Sequence, residues 1–245
     1  MRDGTGELAV VLGATGGVGQ ALVARLRQDG RHGHVVALSR RQPDAWTNGP
    51  AQTWLAADLL DEASLAAAAA RIADLGAPSR IIVATGLLSG DGLTPEKSMR
   101  ALNADALTRL FQVNAIGPAL AAKHLLRTMP REQAGVFAVL SARVGSIADN
   151  ALGGWYGYRA SKAALNMILR TAAIEHRRSH PFGVCVAIHP GTVETGLSAP
   201  FLGGAARGRR FAPLVAADHI LRVLDGLGPE ANGGFYAWDG TQIPW

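Results

Sequence analysis

Cysteine and long apolar runs are scarce in this sequence of 245 residues. Cys185 is the only cysteine, which excludes an internal disulfide, and its place in the apolar run GVCVAIHP favours a small buried side chain over a nucleophile. No apolar run reaches the roughly 18 residues of a membrane span, and the N-terminus lacks a basic flank followed by a long apolar stretch. We therefore expect a cytoplasmic protein without a membrane span.

Lysine is also rare, since Lys97, Lys123 and Lys162 are the only lysines. The net charge of +5 is therefore carried almost entirely by arginines that are spread along the chain. The densest groups are Arg40 and Arg41, Arg177 and Arg178, and Arg207, Arg209 and Arg210. Each group is too short for the continuous basic track that nucleic-acid binding requires. Neither a nucleic acid nor a metal ion is a predicted partner.

Seven short apolar runs recur along the chain, separated by stretches with helical periodicity. They are LAVVLG (8–13), HVVALS (34–39), QTWLAA (52–57), RIIVATG (80–86), GVFAVLS (135–141), GVCVAIHP (183–190) and GGFYAW (233–238). Runs too apolar to alternate are typical of parallel strands covered on both faces. The pattern predicts an α/β fold: one Rossmann-type domain over 1–245, with a doubly wound parallel seven-stranded sheet and helices on both faces. The one unpatterned stretch, about 196–213, is predicted to be a substrate loop.

A glycine-rich turn follows the first strand and opens the first helix. Gly13, Gly17 and Gly19 in LGATGGVG permit positive φ and close approach of the backbone, and Thr15 and Val18 lie in the same turn. The N-terminus of the helix then offers free N–H groups and the positive end of its dipole to a pyrophosphate. A tight turn without a ligand is the alternative, but the position in an alternating βα chain favours a dinucleotide.

The end of the second strand indicates which dinucleotide binds. An acidic residue there would bind the 2′-hydroxyl of an adenosine ribose, but the sequence has Ser39 followed by Arg40. An arginine can hold a 2′-phosphate by a charge-assisted contact, whereas a carboxylate would repel it. The sequence therefore predicts NADP(H), with NAD(H) less favoured. The alternative is that the arginines at this strand end only contact solvent.

A second pattern lies in GGWYGYRASKAALN, residues 153–166. Tyr158 and Lys162 are four residues apart and share a helix face, whereas Tyr156, six residues from Lys162, diverges by about 120° around the axis. A lysine ammonium and a cationic nicotinamide favour the phenolate of a tyrosine, which can then give and take a proton near neutral pH. Tyr158 is thus the predicted proton donor, and Tyr156 and Trp155 are expected to line the substrate pocket or to pack.

With these two sites the chain resembles the short-chain dehydrogenase/reductase family over essentially its whole length. The family's T-G-x-x-x-G-x-G corresponds to LGATGGVG, with Leu12 in place of the threonine. The stretches LSARVGSI and GGFYAWDGTQIPW further resemble a C-factor-like subgroup, some of whose members are described as intercellular signals. The resemblance implies a small carbonyl or alcohol substrate and a homodimer or homotetramer.

The resemblance also implies further cofactor contacts, residue by residue. The acid that contacts adenine in the family corresponds to Asp58, which Leu59 follows. The family's N-N-A-G corresponds to VATG, which ends at Gly86 and lacks both asparagines. HPGTVET is similar to the family's P-G-x-V-x-T, which makes Val193 and Thr195 candidates for holding the nicotinamide carboxamide.

One departure from the family pattern concerns the catalytic serine. That serine lies three residues before the glycine that follows the fifth strand; here the glycine is Gly145 and the position is Ala142. An alanine methyl cannot donate a hydrogen bond to a carbonyl. Ser141 is the candidate substitute, although in an extended segment it would point away from the face of residue 142. Ser146, or no serine at all, is the alternative.

The predicted activity is NADP(H)-dependent reduction of a ketone or aldehyde, or the reverse oxidation. In it Tyr158 protonates the oxygen, Lys162 holds the ribose, and the resemblance implies that Asn114 bends its helix and holds a proton-relay water. Apolar residues of the substrate loop suggest an apolar substrate: Leu197, Phe201, Leu202 and Phe211. The alternative is that the arginines of the loop bind an acidic tail of the substrate. The rival hypothesis, motivated by Ala142 and the C-factor likeness, is an NADP(H)-binding signalling or redox-sensing protein with little turnover.

Overall fold

The computed structural model describes residues 6–44, 46–90, 92–201 and 209–245. Along them the strands are β1 (Glu7–Leu12), β2 (His32–Ser39), β3 (Gln52–Ala56), β4 (Arg80–Val83), β5 (Gly135–Leu140), β6 (Gly183–His189), β7 (Thr192–Val193), β8 (Arg210–Phe211) and β9 (Phe235–Ala237). β7 and β8 pair with each other, and the other seven form one sheet. Each predicted apolar run contributes one strand to this sheet, so the prediction of seven strands is confirmed.

The seven strands lie in the order β3-β2-β1-β4-β5-β6-β9, and every neighbouring pair is parallel. The chain builds outward from β1 to β3 and then returns to place β4 on the other side of β1. The connections after β1 and β4 therefore leave in opposite directions and open a crevice outside the carboxyl ends of these two strands. Open α/β sheets bind their ligands at such a switch point.

Helices cover both faces of the sheet. They are α1 (Gly17–Gln28), α2 (Glu62–Leu75), α3 (Ala104–Phe111), α4 (Gly117–Leu125), α5 (Tyr156–His176) and α6 (Pro213–Asp225). Successive residues of β1 point to opposite faces, so that Val10 belongs to the core under α2, α4 and α5, and Val11 to the core under α1 and α6. Burial on both faces explains the continuously apolar strands and confirms the doubly wound arrangement. Within the described residues, no helix has the length and apolar character to cross a membrane.

Two glycines shape the turn between β1 and α1. Gly13 has a φ of +89°, a conformation that disfavours any residue with a side chain. A Cβ at Gly19 would lie 2.1 Å from the Gly13 carbonyl oxygen, so α1 can begin against the turn only because residue 19 is glycine. The turn therefore places the N-terminus of α1 at the carboxyl end of β1.

A π-helical turn, Gln112–Ile116, joins α3 to α4. Such a turn widens the helix locally and redirects the side chains around it, and it occurs frequently at functional sites. Asn114 lies in this turn and is fully buried. The π-helical turn is the physical form of the helix distortion that the resemblance implied at this asparagine.

The predicted substrate loop has more regular structure than expected. A 3₁₀ turn, Ala199–Phe201, and β8 both lie within 196–213, and α6 begins at Pro213. The pairing of β7 with β8 could not be predicted, because two-residue strands have no periodicity. Leu202 and Arg207 of this loop lie outside the described residues.

Candidate active site

A cleft of about 670 Å³ opens at the carboxyl ends of β4, β5 and β6. The start of α1 and the segment after β6 contribute to its lining, together with the segment after β5 and the start of α5. Among the described residues that line it, the basic side chains are Arg143, Lys162 and His189, and none is Asp or Glu. The cleft therefore suits a ligand that is neutral or negatively charged.

The N-terminus of α1 opens onto this cleft. The Gln20 N–H makes the first bond of the helix, to the Gly16 carbonyl oxygen at 2.8 Å, so the N–H groups of Gly17, Val18 and Gly19 have no acceptor within the helix. Gly17 and Val18 line the cleft. Oriented N–H groups and the positive end of the helix dipole make this helix start a site for an anion.

Three other predicted cofactor residues flank this helix start. Thr15 is exposed in the glycine-rich turn. The Thr195 methyl group packs on Gly17, where an added Cβ would lie 2.7 Å from it. Val193 is buried in β7 and lines the cleft. The structure thus brings the segment after β6 onto the glycine-rich turn, as the predicted cofactor site requires.

The predicted adenosine end lies at the carboxyl ends of β2 and β3. The buried Ser39 hydroxyl donates to the Arg41 carbonyl oxygen at 2.6 Å and accepts from Trp54 Nε1 at 3.0 Å, so it is used within the protein. Arg40 is exposed and has no partner in the part of the chain that is described. A phosphate bound at this strand end would therefore meet the Arg40 guanidinium without a competing carboxylate.

Asp58 and Leu59 follow β3 at the same edge of the sheet. The Asp58 carboxylate accepts from the Leu60 N–H at 3.0 Å, which closes a tight turn. Leu59 is buried, and a Cβ at Gly117 would lie 2.3 Å from its Cγ, so a glycine at the start of α4 allows this segment to pack there. Packing and the turn together hold both residues at the strand end where the resemblance implies adenine.

Tyr158 and Lys162 lie on one face of α5, and both line the cleft. They are 8% and 2% exposed, whereas Tyr156 is 36% exposed and does not line the cleft. Burial raises the pKa of Tyr158 to about 12 and lowers the pKa of Lys162 to about 8. Lys162 Nζ donates to the Leu140 carbonyl oxygen at 2.9 Å, while no described residue hydrogen-bonds the Tyr158 hydroxyl. That hydroxyl is thus left for a ligand.

Asn114 connects the segment after β4 to α5. Its Oδ1 accepts from the Leu87 N–H at 2.8 Å, and its Nδ2 donates to the Leu87 carbonyl oxygen at 2.7 Å and to Ser161 Oγ at 3.1 Å. A Cβ at Gly86 would lie 3.8 Å from both Asn114 Oδ1 and Lys162 Nζ. Gly86, Asn114 and Lys162 therefore lie close together, and Gly86 and Lys162 line the cleft.

Three residues after β5 determine whether a serine hydroxyl could join Tyr158 as a hydrogen-bond donor to a substrate oxygen. The Ser141 hydroxyl donates to Asn166 Oδ1 at 2.7 Å, and the Ser146 hydroxyl donates to a backbone carbonyl of the C-terminal segment. Ala142 packs in the apolar cluster that contains Tyr158. Both Ser141 and Ala142 line the cleft, but Ser141 and Ser146 use their protons within the protein.

Three residues that the sequence analysis did not single out also shape the site. Thr85 lines the cleft, and its Oγ1 is buried without a hydrogen-bond partner among the described residues. His189 lines the cleft at the end of β6, and burial lowers its pKa to about 4, so its ring is neutral at pH 7. Glu96 is buried at the start of α5. Thr85 and His189 stand within the VATG and HPGTVET motifs, whereas no sequence signal marks Glu96.

The residues present fit an NADP(H) molecule. The N–H groups at the start of α1 suit a pyrophosphate, and Arg40 suits a 2′-phosphate. Two further groups offer hydrogen bonds to a ligand in the cleft. They are the unpartnered Thr85 hydroxyl and the remaining N–H donors of Lys162. The charges and donors of the site thus match the charges and acceptors of this dinucleotide.

Comparison with known proteins agrees with this geometry. A family model described as short chain dehydrogenase matches residues 7–202. C-signal from Myxococcus xanthus is 38% identical over 143 residues, which cover 57% of this chain and 78% of that protein. The 1-hydroxy-2-glutathionyl-2-methyl-3-butene dehydrogenase of Rhodococcus sp. (strain AD45) is 32% identical over 189 residues, which cover 77% of this chain and 78% of that protein.

Two solved structures share the fold over nearly the whole chain. Carbonyl reductase Sniffer of D. melanogaster has a TM-score of 0.82 at 23% identity and covers 98% of this chain and 100% of its own. An NADPH-bound carbonyl reductase from chicken fatty liver has a TM-score of 0.80 at 24% identity and covers 100% of this chain and 97% of its own. At such identities the likeness establishes the common fold.

Proposed function

The chain belongs to the short-chain dehydrogenase family, and on this premise we propose that it is an NADP(H)-dependent oxidoreductase that reduces a ketone or aldehyde to an alcohol, or catalyses the reverse. The observation that carries the proposal is the buried pair of Tyr158 and Lys162 in the cleft onto which the N-terminus of α1 opens. In this proposal one domain over 1–245 carries the whole site, and 196–213 contributes to the substrate side.

Proton transfer is the part of the reaction that the chain's own residues perform. When bound, NADPH supplies the hydride. Tyr158 donates its hydroxyl proton to the carbonyl oxygen, and its phenolate takes a proton from the alcohol in the reverse direction. Burial raises the pKa of Tyr158 to about 12, which keeps the donor protonated for reduction. The Lys162 ammonium stabilises the phenolate that the transfer leaves behind.

Lys162 and Asn114 support this transfer in different ways. Lys162 uses one donor on the Leu140 carbonyl oxygen, and we assign its remaining donors to the ribose hydroxyls. Asn114 uses its amide on Leu87 and Ser161, so we assign it the positioning of the segment after β4 against α5. A relayed proton would then pass beside Asn114 and Lys162 rather than through the asparagine amide.

The second donor to the carbonyl oxygen is the point where this site departs from the family. The geometry favours the alternative without a serine, because Ser141, although it lines the cleft, donates to the buried Asn166, and Ala142 packs in the apolar cluster that contains Tyr158. For Ser141 to bind substrate it would have to leave Asn166 Oδ1 unpaired in the interior, which costs free energy. We therefore propose that no serine joins Tyr158 in donating a hydrogen bond to the substrate oxygen.

The substrate side of the cleft is apolar. The ring centroids of Trp155 and Phe201 are 5.1 Å apart, and those of Trp155 and Tyr158 are 6.3 Å apart. Leu88 and Val144 belong to the same cluster. We propose that the carbonyl compound is a small apolar molecule whose hydrocarbon part lies against these rings.

Arg40 determines the choice of cofactor in this proposal. NADPH is expected to bind at least about tenfold more tightly than NADH, because a charge-assisted contact contributes roughly 1.5–3 kcal/mol and about 1.4 kcal/mol corresponds to a factor of ten. Arg40→Ala should remove this difference by weakening NADPH and leaving NADH unchanged, as measured by fluorescence titration. Arg41→Ala, a neighbouring exposed arginine, is the matched control. Equal dissociation constants in the unmodified protein, or no effect of Arg40→Ala, would refute the assignment.

The proposed activity is tested by single-turnover oxidation of bound NADPH with a panel of apolar ketones and aldehydes. Loss of absorbance at the NADPH band with one or more compounds is the expected result.

A second candidate function is supported by Ala142 and by the 38% identity to C-signal: a protein that binds NADP(H) for signalling or redox sensing with little turnover. Tight NADPH binding without oxidation by any member of the panel would favour this second candidate.

A further inference from the structure

A buried carboxylate lies at the start of the helix that carries Tyr158. Glu96 belongs to the segment between β4 and α3 and is 4% exposed. Its Oε2 accepts from the Gly157 N–H at 3.1 Å, and its backbone carbonyl accepts from the Trp155 N–H. One residue, more than fifty positions before α5 in the chain, thus binds two of the first N–H groups at the beginning of that helix.

The beginning of α5 needs such a partner from outside. Trp155 is the N-cap, yet its side chain makes no capping hydrogen bond. Its backbone has φ 54° and ψ 42°, the left-handed conformation that a bulky residue rarely adopts. Among the described residues it is the one non-glycine with positive φ. The surrounding contacts must therefore hold Trp155 in this conformation, and Glu96 contributes two of them, one at the Trp155 N–H and one at the Gly157 N–H two residues later.

Steric fit confirms how closely Glu96 and α5 approach. A Cβ at Gly157 would lie 2.7 Å from Glu96 Oε1 and 2.7 Å from Leu110 Cδ1, so only glycine allows this contact. Oε1 has no hydrogen-bond partner among the described residues. The Glu96 side chain therefore faces the N–H end of α5, whose first N–H groups need acceptors from outside the helix.

These contacts lie next to the reacting groups. Trp155 contacts both Tyr158 and Phe201 through its ring, and Tyr158 follows Gly157 directly in the chain. The geometry points to Glu96 as a positioning residue: it fixes the first turn of α5 and thereby the Tyr158 hydroxyl and the Trp155 wall of the substrate site. This inference rests on the proposed function, because Glu96 affects the reaction through the position of Tyr158.

Three substitutions of Glu96 test the inference. Glu96→Ala removes the acceptor, and Glu96→Asp withdraws it by one methylene group, whereas Glu96→Gln keeps an acceptor oxygen at the same reach. The first two should lower kcat about 10- to 100-fold, since a displacement of about 1 Å can cost a factor of a hundred. Glu96→Gln should retain kcat within about threefold, and all three should bind NADPH like the unmodified protein. Glu132→Ala, which removes an exposed glutamate before β5, is the matched control.

Hydrogen exchange provides a readout that does not depend on activity. The Gly157 amide should exchange faster in Glu96→Ala and Glu96→Asp but not in Glu96→Gln, with peptides from α1 unchanged. Unchanged kcat and unchanged Gly157 exchange in Glu96→Ala would overturn the inference, and so would a Glu96→Gln variant as impaired as Glu96→Ala. If Glu96→Ala does not fold, the comparison of Glu96→Asp with Glu96→Gln tests the inference in its place. If the unmodified protein reduces no carbonyl compound, the proposed function fails, and the exchange comparison still decides whether Glu96 fixes the start of α5.

Discussion

Tyr158→Phe should lower kcat by about a thousandfold and leave the dissociation constant of NADPH nearly unchanged, because a positioned general acid contributes roughly 10²- to 10⁴-fold to a rate. Phenylalanine keeps the ring that packs in the apolar cluster and removes only the hydroxyl that no described residue binds. Steady-state kinetics at saturating NADPH, with a fluorescence titration of the cofactor, measure both quantities.

Tyr156→Phe is the matched control for this prediction. Tyr156 is partly exposed, does not line the cleft and lies on a different face of α5 from Lys162. Its hydroxyl should therefore be dispensable, and the substitution should leave both kcat and KM within about threefold of the unmodified protein. A comparable loss of kcat in both variants would show that the geometry of α5 does not select Tyr158.

Ala142→Ser should raise kcat toward carbonyl substrates by about tenfold, because one well-placed donor to a developing oxyanion contributes on the order of a hundredfold and the new hydroxyl is not optimised. Position 142 packs in the cluster with Tyr158, so a hydroxyl there reaches the substrate side of the cleft. Ala142→Cys has a similar volume and a poor donor, and it should give no gain. kcat at saturating NADPH on the best substrate found is the measurement.

Ser141→Ala tests the other alternative in the same assay. Its hydroxyl donates to Asn166, so its removal should leave kcat within about threefold and lower the melting temperature instead, since the buried Asn166 Oδ1 loses its partner. A loss of about a hundredfold in kcat with Ser141→Ala, and no gain with Ala142→Ser, would return the role of second donor to Ser141.

The strands of the sheet could be predicted because the feature that marks each one, a short continuous apolar run, lies within a single stretch of the sequence. Strands that are buried on both faces must be apolar along nearly their whole length, as β5 is throughout and β6 is up to Ile188, so they can be recognised without any knowledge of their neighbours. The face that Tyr158 and Lys162 share follows from the helical repeat alone. For the same reason the glycine-rich turn was recognisable, since Gly13 needs positive φ and Gly19 needs contact with the turn.

The parts that escaped prediction depend on contacts between distant segments. Glu96 meets α5 across about sixty residues of sequence, and nothing in its own neighbourhood marks a capping residue. The same holds for Ser141, whose partner Asn166 lies on α5, and for Ser39, whose hydroxyl meets Trp54 of β3. In each case a hydroxyl or carboxylate that could serve a ligand has a partner inside the protein, and only the fold reveals that partner.

Transfer of deuterium from the C4 position of labelled NADPH to a carbonyl substrate tests the central claim most directly. The purified protein is mixed with the two stereospecifically labelled forms of NADPH and the best ketone or aldehyde of the panel, and the alcohol is analysed by mass spectrometry. The account predicts that one form transfers its deuterium to the carbonyl carbon, that the other does not, and that Tyr158→Phe slows formation of the labelled product about a thousandfold. An alcohol without deuterium from either form, or no alcohol from any carbonyl compound while NADPH remains bound, would contradict it.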